Sequence, residues 1–132
     1  MSRPDFRELG AIFVGGICGG LARVGASELF TYKHGDWPWA IFVINISGAM
    51  ILGYCATRLQ DRLPISIYRR PFIGTGVCGA LTTFSTMQLE LLDMVRDHRL
   101  LQAFVYAAAS IICGYLGVYL ATVSARRVRV MA

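Results

Sequence analysis

Charge is what this sequence has least of. Of its 132 residues only 16% are charged and 55% are hydrophobic, against roughly a quarter charged in ordinary soluble chains. The shortage is concentrated in three places: residues 37–57, 71–89 and 100–125 carry no charge, in runs of 21, 19 and 26. A soluble helix of such length needs a charged face, whereas a bilayer span takes about 20 mostly apolar residues. A soluble enzyme is therefore nearly ruled out. Mid-span acids are absent, and the two histidines, His34 and His98, fall between the runs. A proton-coupled carrier normally needs an intramembrane carboxylate or histidine. Cysteine is sparse too. Cys18, Cys55, Cys78 and Cys113 each occupy a different apolar segment with no short metal-binding spacing, so they read as reduced, small fillers and not as a disulfide framework or zinc site. No internal repeat is visible, and the four prolines, Pro4, Pro38, Pro64 and Pro71, flank the apolar runs without interrupting them.

A fourth apolar segment precedes these runs, LGAIFVGGICGGLARVGASELF at residues 9–30, which carries Arg23 and Glu28. Asp5 and Glu8 dilute the basic start a signal peptide would show, so this segment is expected to be retained as a helix. The expectation is an all-α membrane protein, one domain over 1–132 with four spans at about 9–30, 37–57, 71–89 and 100–125. Tyr32, Trp37 and Trp39 sit where an aromatic belt holds helix ends at the interface. Since Arg23 and Glu28 cancel, the whole net charge of +5 lies outside the spans, which points to cytoplasmic loops and anionic lipid, not nucleic acid. Arg3, Arg7, Arg58, Arg62, Arg69, Arg70, Arg126, Arg127 and Arg129 share one side, and Lys33, Arg96 and Arg99 the other. The positive-inside rule then puts both termini in the cytoplasm. Four helices are few for enclosing a polar path, so at least a dimer is expected.

The polar residues inside the spans carry the functional signal, because hydrocarbon penalises them. Gly15/Gly19 and Gly16/Gly20 form two overlapping small-xxx-small pairs, which serve either packing within the subunit or an interface between subunits. Arg23 either snorkels to the interface or supplies positive charge to a vestibule for anions. Asn45 is either glue between helices or a neutral donor for an anion losing its water. The third span, GTGVCGALTTFSTMQLE, combines Gly74, Gly76 and Gly79 with Thr75, Thr82, Thr83, Ser85, Thr86 and Gln88. That composition predicts a broken helix whose freed backbone groups line a cavity or hold an ion, the alternative being hydroxyls that bond back to their own helix. Phe84 among them either fills a core or turns its electropositive ring edge to an anion. Tyr106, Ser110 and Gly114 recur at i, i+4, i+8 on one face of the last span, as a polar track or as packing against the third.

With GGICGGLARVG, WPWAIFVINISG, GTGVCGALTTFSTMQLE and the Tyr106–Ser110 stripe in hand, the chain resembles the Fluc-type fluoride ion channels (the CrcB family) over essentially its whole length. The TTFST block after a Gly-rich turn is the most specific part. The resemblance implies an antiparallel, dual-topology dimer in the bacterial cytoplasmic (inner) membrane, with two fluoride pores that passively export the ion. It implies a structural central Na⁺ held by backbone carbonyls at the break in the third helix, here at Gly79 and Thr82. It further implies pore positions at Phe84, Met87 and Asn45, a vestibule arginine at Arg23, and a polar track of Tyr106 and Ser110 with Ser85, Thr86 and Glu90 nearby.

Two residues depart from the family pattern. Met87 stands where a second phenylalanine is usual, which leaves half of an aromatic box and a flexible, polarizable thioether without a ring edge. Ala80 replaces the second glycine of a Gly-Gly pair. The arginine bias is a third difficulty, since a chain that inserts both ways is expected to have balanced ends; the alternative is pairing with an oppositely oriented homologue. No residue is placed to do chemistry, so no enzyme is expected. The competing readings are a small proton-coupled drug exporter, which would need an acid where IFVGGICGG stands, and a non-transporting membrane assembly subunit, which leaves the polar third span unexplained.

Overall fold

The computed structural model describes residues 5–30, 35–60 and 68–130, apart from the side chains at 59, 60 and 128–130. The expected interface anchor Tyr32 and the charges Arg3, Lys33, His34, Asp61 and Arg62 lie outside these residues, as does the side chain of Arg129.

Five α-helices and one π-helical segment follow in order: α1 (Phe6–Leu29), α2 (Trp39–Gln60), the π-helical Pro71–Cys78, α3 (Gly79–Leu81), α4 (Phe84–Arg96) and α5 (Leu100–Val130). No strand occurs among the described residues. Local signals explain the ends. Asp5 caps α1 by accepting from the Arg7 N–H at 2.9 Å, and Glu8 adds a favourable charge to the first turn. The Phe42 N–H bonds the Pro38 carbonyl at 3.2 Å at the start of α2, where a proline's missing N–H costs nothing. Between α4 and α5 the chain reverses with His98 in the left-handed region at φ 57°. There the Arg99 N–H reaches the Met94 carbonyl at 2.8 Å and the His98 N–H that of Val95 at 3.1 Å, a Schellman closure with histidine where glycine is usual.

Among the described residues three helices are long and apolar enough to cross a membrane: Phe6–Leu29, Trp39–Arg58 and Leu100–Arg127. Residues 71–89 are not one helix but the π-helical segment, α3 and the start of α4. Large apolar side chains such as Phe13 and Leu21 on α1 and Ile111 and Tyr115 on α5 stand exposed. So many large apolar side chains on the outer faces suit hydrocarbon, not water.

Packing settles the role of the first-span glycines. A Cβ on Gly15 would run into the Phe72 carbonyl and one on Gly19 into that of Val77, while a Cβ on Gly76 would meet the Ile12 carbonyl at 2.7 Å. So α1 and the π-helical segment touch backbone to backbone, within the subunit. Gly16 and Gly20 have open space around them and play no part in that contact. On the other side, α5 lies along α2, with Gly117 against Met50 and Gly53 against Val118. The buried cluster of Met94, Ala103 and Tyr106, with Trp37, Phe42, Met87 and Leu91 packed on it, ties α4 to α5 and to the start of α2.

Candidate functional site

Between α3 and α4, Thr82 (φ −75°, ψ 149°) and Thr83 (φ −146°, ψ 116°) are extended. Extended backbone without a neighbouring strand leaves its N–H and C=O unpaired, and a buried group left so costs about 1–3 kcal/mol. Asn45 of α2 meets both needs at Thr83. Its Oδ1 accepts from the Thr83 N–H at 2.9 Å, and its Nδ2 donates to the Thr83 carbonyl at 3.1 Å.

This clamp diverts the donors of two other carbonyls. In a continuous helix the Thr83 N–H would bond the Gly79 carbonyl, and the Thr86 N–H that of Thr82. Here the first is held by Asn45, and the second donates to the Thr83 hydroxyl at 3.2 Å. The carbonyls of residues 79–82 all lack their helical donors, and they include Gly79 and Thr82, the two positions expected to face a cation. Hard cations take oxygen ligands of this kind. Gly79 is exposed with open space about its Cα. The Thr82 hydroxyl turns back to the Cys78 carbonyl at 2.9 Å, as do Ser47 to Val43 at 2.7 Å and Thr57 to Gly53 at 2.8 Å within α2. For these three hydroxyls the plain helix-bonding role holds.

The hydroxyls beyond Thr82 behave differently. Thr83 is the N-cap of α4, and its hydroxyl lies 2.9 Å from that of Thr86 and 3.3 Å from that of Ser85. Thr83, Ser85 and Thr86 line an open cavity of about 610 Å³ that they share with Arg23, Val24, Ser27 and Glu28 of α1 and Ile41 of α2. Arg23 and Glu28 have no ion-pair or hydrogen-bond partner among the described residues. A guanidinium and uncharged hydroxyls facing one cavity form a surface that can hold a small hydrated anion.

A second polar group lies between α4 and α5. The fully buried Tyr106 donates its hydroxyl proton to a carboxylate oxygen of Glu90 at 2.6 Å. Trp37 packs edge-on against the Tyr106 ring, centroids 5.4 Å apart at 87°. Met87 belongs to this apolar cluster. Ser110 lies one turn beyond Tyr106, with its hydroxyl buried and unpartnered among the described residues. Phe84 stands apart, with 70% of its surface exposed.

The structure thus gathers Asn45, Thr82, Ser85, Thr86 and Arg23 around one junction and its cavity. It gathers Met87, Glu90 and Tyr106 around the aromatic cluster, and it turns Phe84 outward. Sequence reasoning passed over Thr83, the hub of the junction. Its signal was available, a hydroxyl residue just before an apolar-periodic helix, which is the mark of an N-cap. Trp37, expected at the interface, has its Nε1 buried without a partner among the described residues, and sequence reasoning gave Glu28 no role beyond cancelling Arg23. Neither had a sequence signal.

Apolar helices of membrane-crossing length, with large apolar side chains on their outer faces and polar groups gathered between them, define a multi-pass membrane protein. Residues 10–122 match the family described as CrcB-like protein, Camphor Resistance (CrcB), and the chain belongs to that family. It is 52% identical over 130 residues to the fluoride-specific ion channel FluC 1 of Mycolicibacterium paratuberculosis, covering 98% of each chain. It is 50% identical over 130 residues to the FluC 1 of Mycobacterium bovis, again 98% of each. Its identity to the FluC of Methylobacterium radiotolerans is 37% over 116 residues, 86% of this chain and 81% of that one. These relatives are named as ion channels, and the protein is not an enzyme.

Proposed function

We propose that the protein is a fluoride-selective channel of the bacterial cytoplasmic membrane, working as an antiparallel dimer with two pores and passively exporting fluoride. The observation that carries this reading is the Asn45 clamp on Thr83. It holds the third span open in mid-course and turns Thr83, Ser85 and Thr86 toward the cavity that contains Arg23. The fluoride-specific names of the relatives support it.

Fluoride is small and strongly hydrated, so a pore must replace its water with donors while binding it weakly enough to release it. In this reading Arg23 raises the anion concentration at the entrance. The hydroxyls of Ser85 and Thr86 and the second N–H of the Asn45 amide then take over hydration. The outward edge of Phe84, Met87 and the Tyr106–Ser110 stripe with Glu90 continue the path where a second copy covers it. Fluoride that entered the cell as its neutral acid dissociates inside and leaves down its gradient, assisted by an inside-negative potential.

The carbonyls of Gly79 and Thr82 would hold the structural Na⁺ at the dimer centre. One chain supplies two oxygens, so a partner copy must supply more. Replacing Na⁺ by a large organic cation during purification should lower the thermal stability of the dimer and leave α-helix content unchanged.

The decisive experiment is fluoride against chloride efflux from liposomes containing the purified protein. Fluoride release no faster than chloride release would sink the reading. The nine-to-three bias of arginine and lysine favours a second form of it, in which the partner is an oppositely oriented homologue. Mapping the sidedness of an added C-terminal tag distinguishes the two: both orientations are expected for the homodimer, one for the pair.

A further inference from the structure

The cavity under the Thr82–Thr83 junction holds two charges of opposite sign. Arg23 and Glu28 both line it, and neither has a partner among the described residues. Five positions apart on α1, they are separated by about 7.5 Å of rise and roughly 140° of rotation. They cannot close an i, i+4 ion pair, yet both line the cavity. The rest of the polar lining, Ser27, Thr83, Ser85 and Thr86, is uncharged, and Val24 and Ile41 make its walls partly apolar. The potential inside is therefore set by these two side chains.

We propose that Glu28 sets the rate of anion entry, its carboxylate offsetting the positive potential that Arg23 gives the cavity. The inference rests on reading this cavity as the anion vestibule. A cavity about 610 Å³ in volume is small beside the screening length of about 10 Å at 0.1 M salt, so an anion in it feels both charges at once. With Arg23 alone, the apolar walls would focus a positive field and concentrate anions strongly. With Glu28 opposite, the guanidinium still offers its N–H donors to an arriving anion, but the long-range field is nearly cancelled. Entry slows, and the ion is not trapped at the mouth, which conduction requires.

The test joins a readout of potential to a readout of flux. In detergent-solubilised protein carrying Ser27→Cys, the introduced thiol is modified by a negatively and by a positively charged methanethiosulfonate reagent. Mass spectrometry of the peptide containing position 27 times each reaction separately from the native cysteines. Adding Glu28→Gln should raise the anionic-to-cationic rate ratio about three- to tenfold at low salt. The gain should shrink toward unity at about 1 M salt, where screening acts within about 3 Å. In liposomes at low ionic strength, Glu28→Gln alone should speed initial fluoride efflux by a similar factor, and Arg23→Gln should slow it. A reagent ratio that Glu28→Gln leaves unmoved overturns the proposal, as does a shifted ratio with unchanged or slower fluoride efflux through a conducting protein. If the wild type passes fluoride no faster than chloride while the ratio still shifts, the conduction reading fails and the opposition of Glu28 to Arg23 stands.

Discussion

The carboxamide of Asn45 bonds both main-chain groups of Thr83, 38 residues away in sequence, at 2.9 and 3.1 Å. A single side chain so replaces the backbone partners that an extended residue loses between two helices. Because the acceptor and the donor are both used, the arrangement distinguishes the amide from its closest isostere.

Asn45→Asp keeps one acceptor for the Thr83 N–H but turns a second oxygen toward the Thr83 carbonyl with no proton to give. Leaving that carbonyl unsatisfied costs about 1–3 kcal/mol. The variant is expected to melt earlier and to lose at least about tenfold in fluoride efflux, while still eluting as an oligomer. Thr83→Ser, which keeps the capping oxygen of α4, should stay near wild type in both measurements; Thr83→Val should lose about 1 kcal/mol of stability. Efflux by fluoride electrode and melting by size-exclusion chromatography check both pairs.

The two overlapping glycine pairs of α1 should separate cleanly. Gly19 faces the Val77 carbonyl, and Gly20 faces open space. Gly19→Ala must push α1 from the π-helical segment, an overpacking cost of about 1–3 kcal/mol. Gly20→Ala meets nothing in the subunit and gains helix propensity, at most about 1 kcal/mol. Melting temperatures of the two variants should therefore move in opposite directions. A large loss for Gly20→Ala would reveal a contact with a second copy at that face.

Much of this was legible in the sequence because hydrocarbon makes polarity expensive. The charge-free runs announced α2 and α5, and the Gly- and Thr-rich block at 74–86 is where the extended Thr82 and Thr83 lie. What the sequence withheld was tertiary. Asn45 carried two open readings until its partner was known, and the partner is a backbone group, invisible to any spacing rule. The glycine pairs carried two readings until Gly15 and Gly19, and not Gly16 or Gly20, were seen to face the π-helical segment. Thr83 was given no role of its own because five other polar residues share its span, and only the dihedral angles single out the N-cap. The opposition of Arg23 and Glu28 looked like cancellation in a charge count. It gained a place only when both were found lining one cavity.

The bond from Tyr106 to Glu90, at 2.6 Å, joins a fully buried phenol to a half-buried carboxylate. Tyr106→Phe removes the donor and leaves the carboxylate without it, where hydrogen bonds to charged groups contribute about 1.5–3 kcal/mol. Glu90→Gln keeps an acceptor for the same hydroxyl and should cost about half as much, since a neutral bond is weaker. Both variants should retain the helical spectrum, and Tyr106→Phe should show the lower melting temperature. If the polar stripe on α5 belongs to the ion path, fluoride efflux should fall in both.

Phe84 and Met87 lie one turn apart on α4, yet their surroundings differ. Phe84 is 70% exposed, and Met87 is packed against the cluster of Met94, Ala103 and Tyr106. Phe84→Ile therefore removes little packing within the subunit, and its stability should stay within about 0.5 kcal/mol of wild type. A residue that matters to the ion path and not to the fold should then show itself by lost flux at unchanged melting temperature, and at least a severalfold drop is expected. Met87→Phe adds volume to a packed site, an expected cost of about 1–3 kcal/mol. The flexible Met94 beside it can move, so the variant should fold with efflux near or above wild type. Normal flux in Phe84→Ile would place the path elsewhere, and an unfolded Met87→Phe would show that this cluster, not a pore, fixes the residue at position 87.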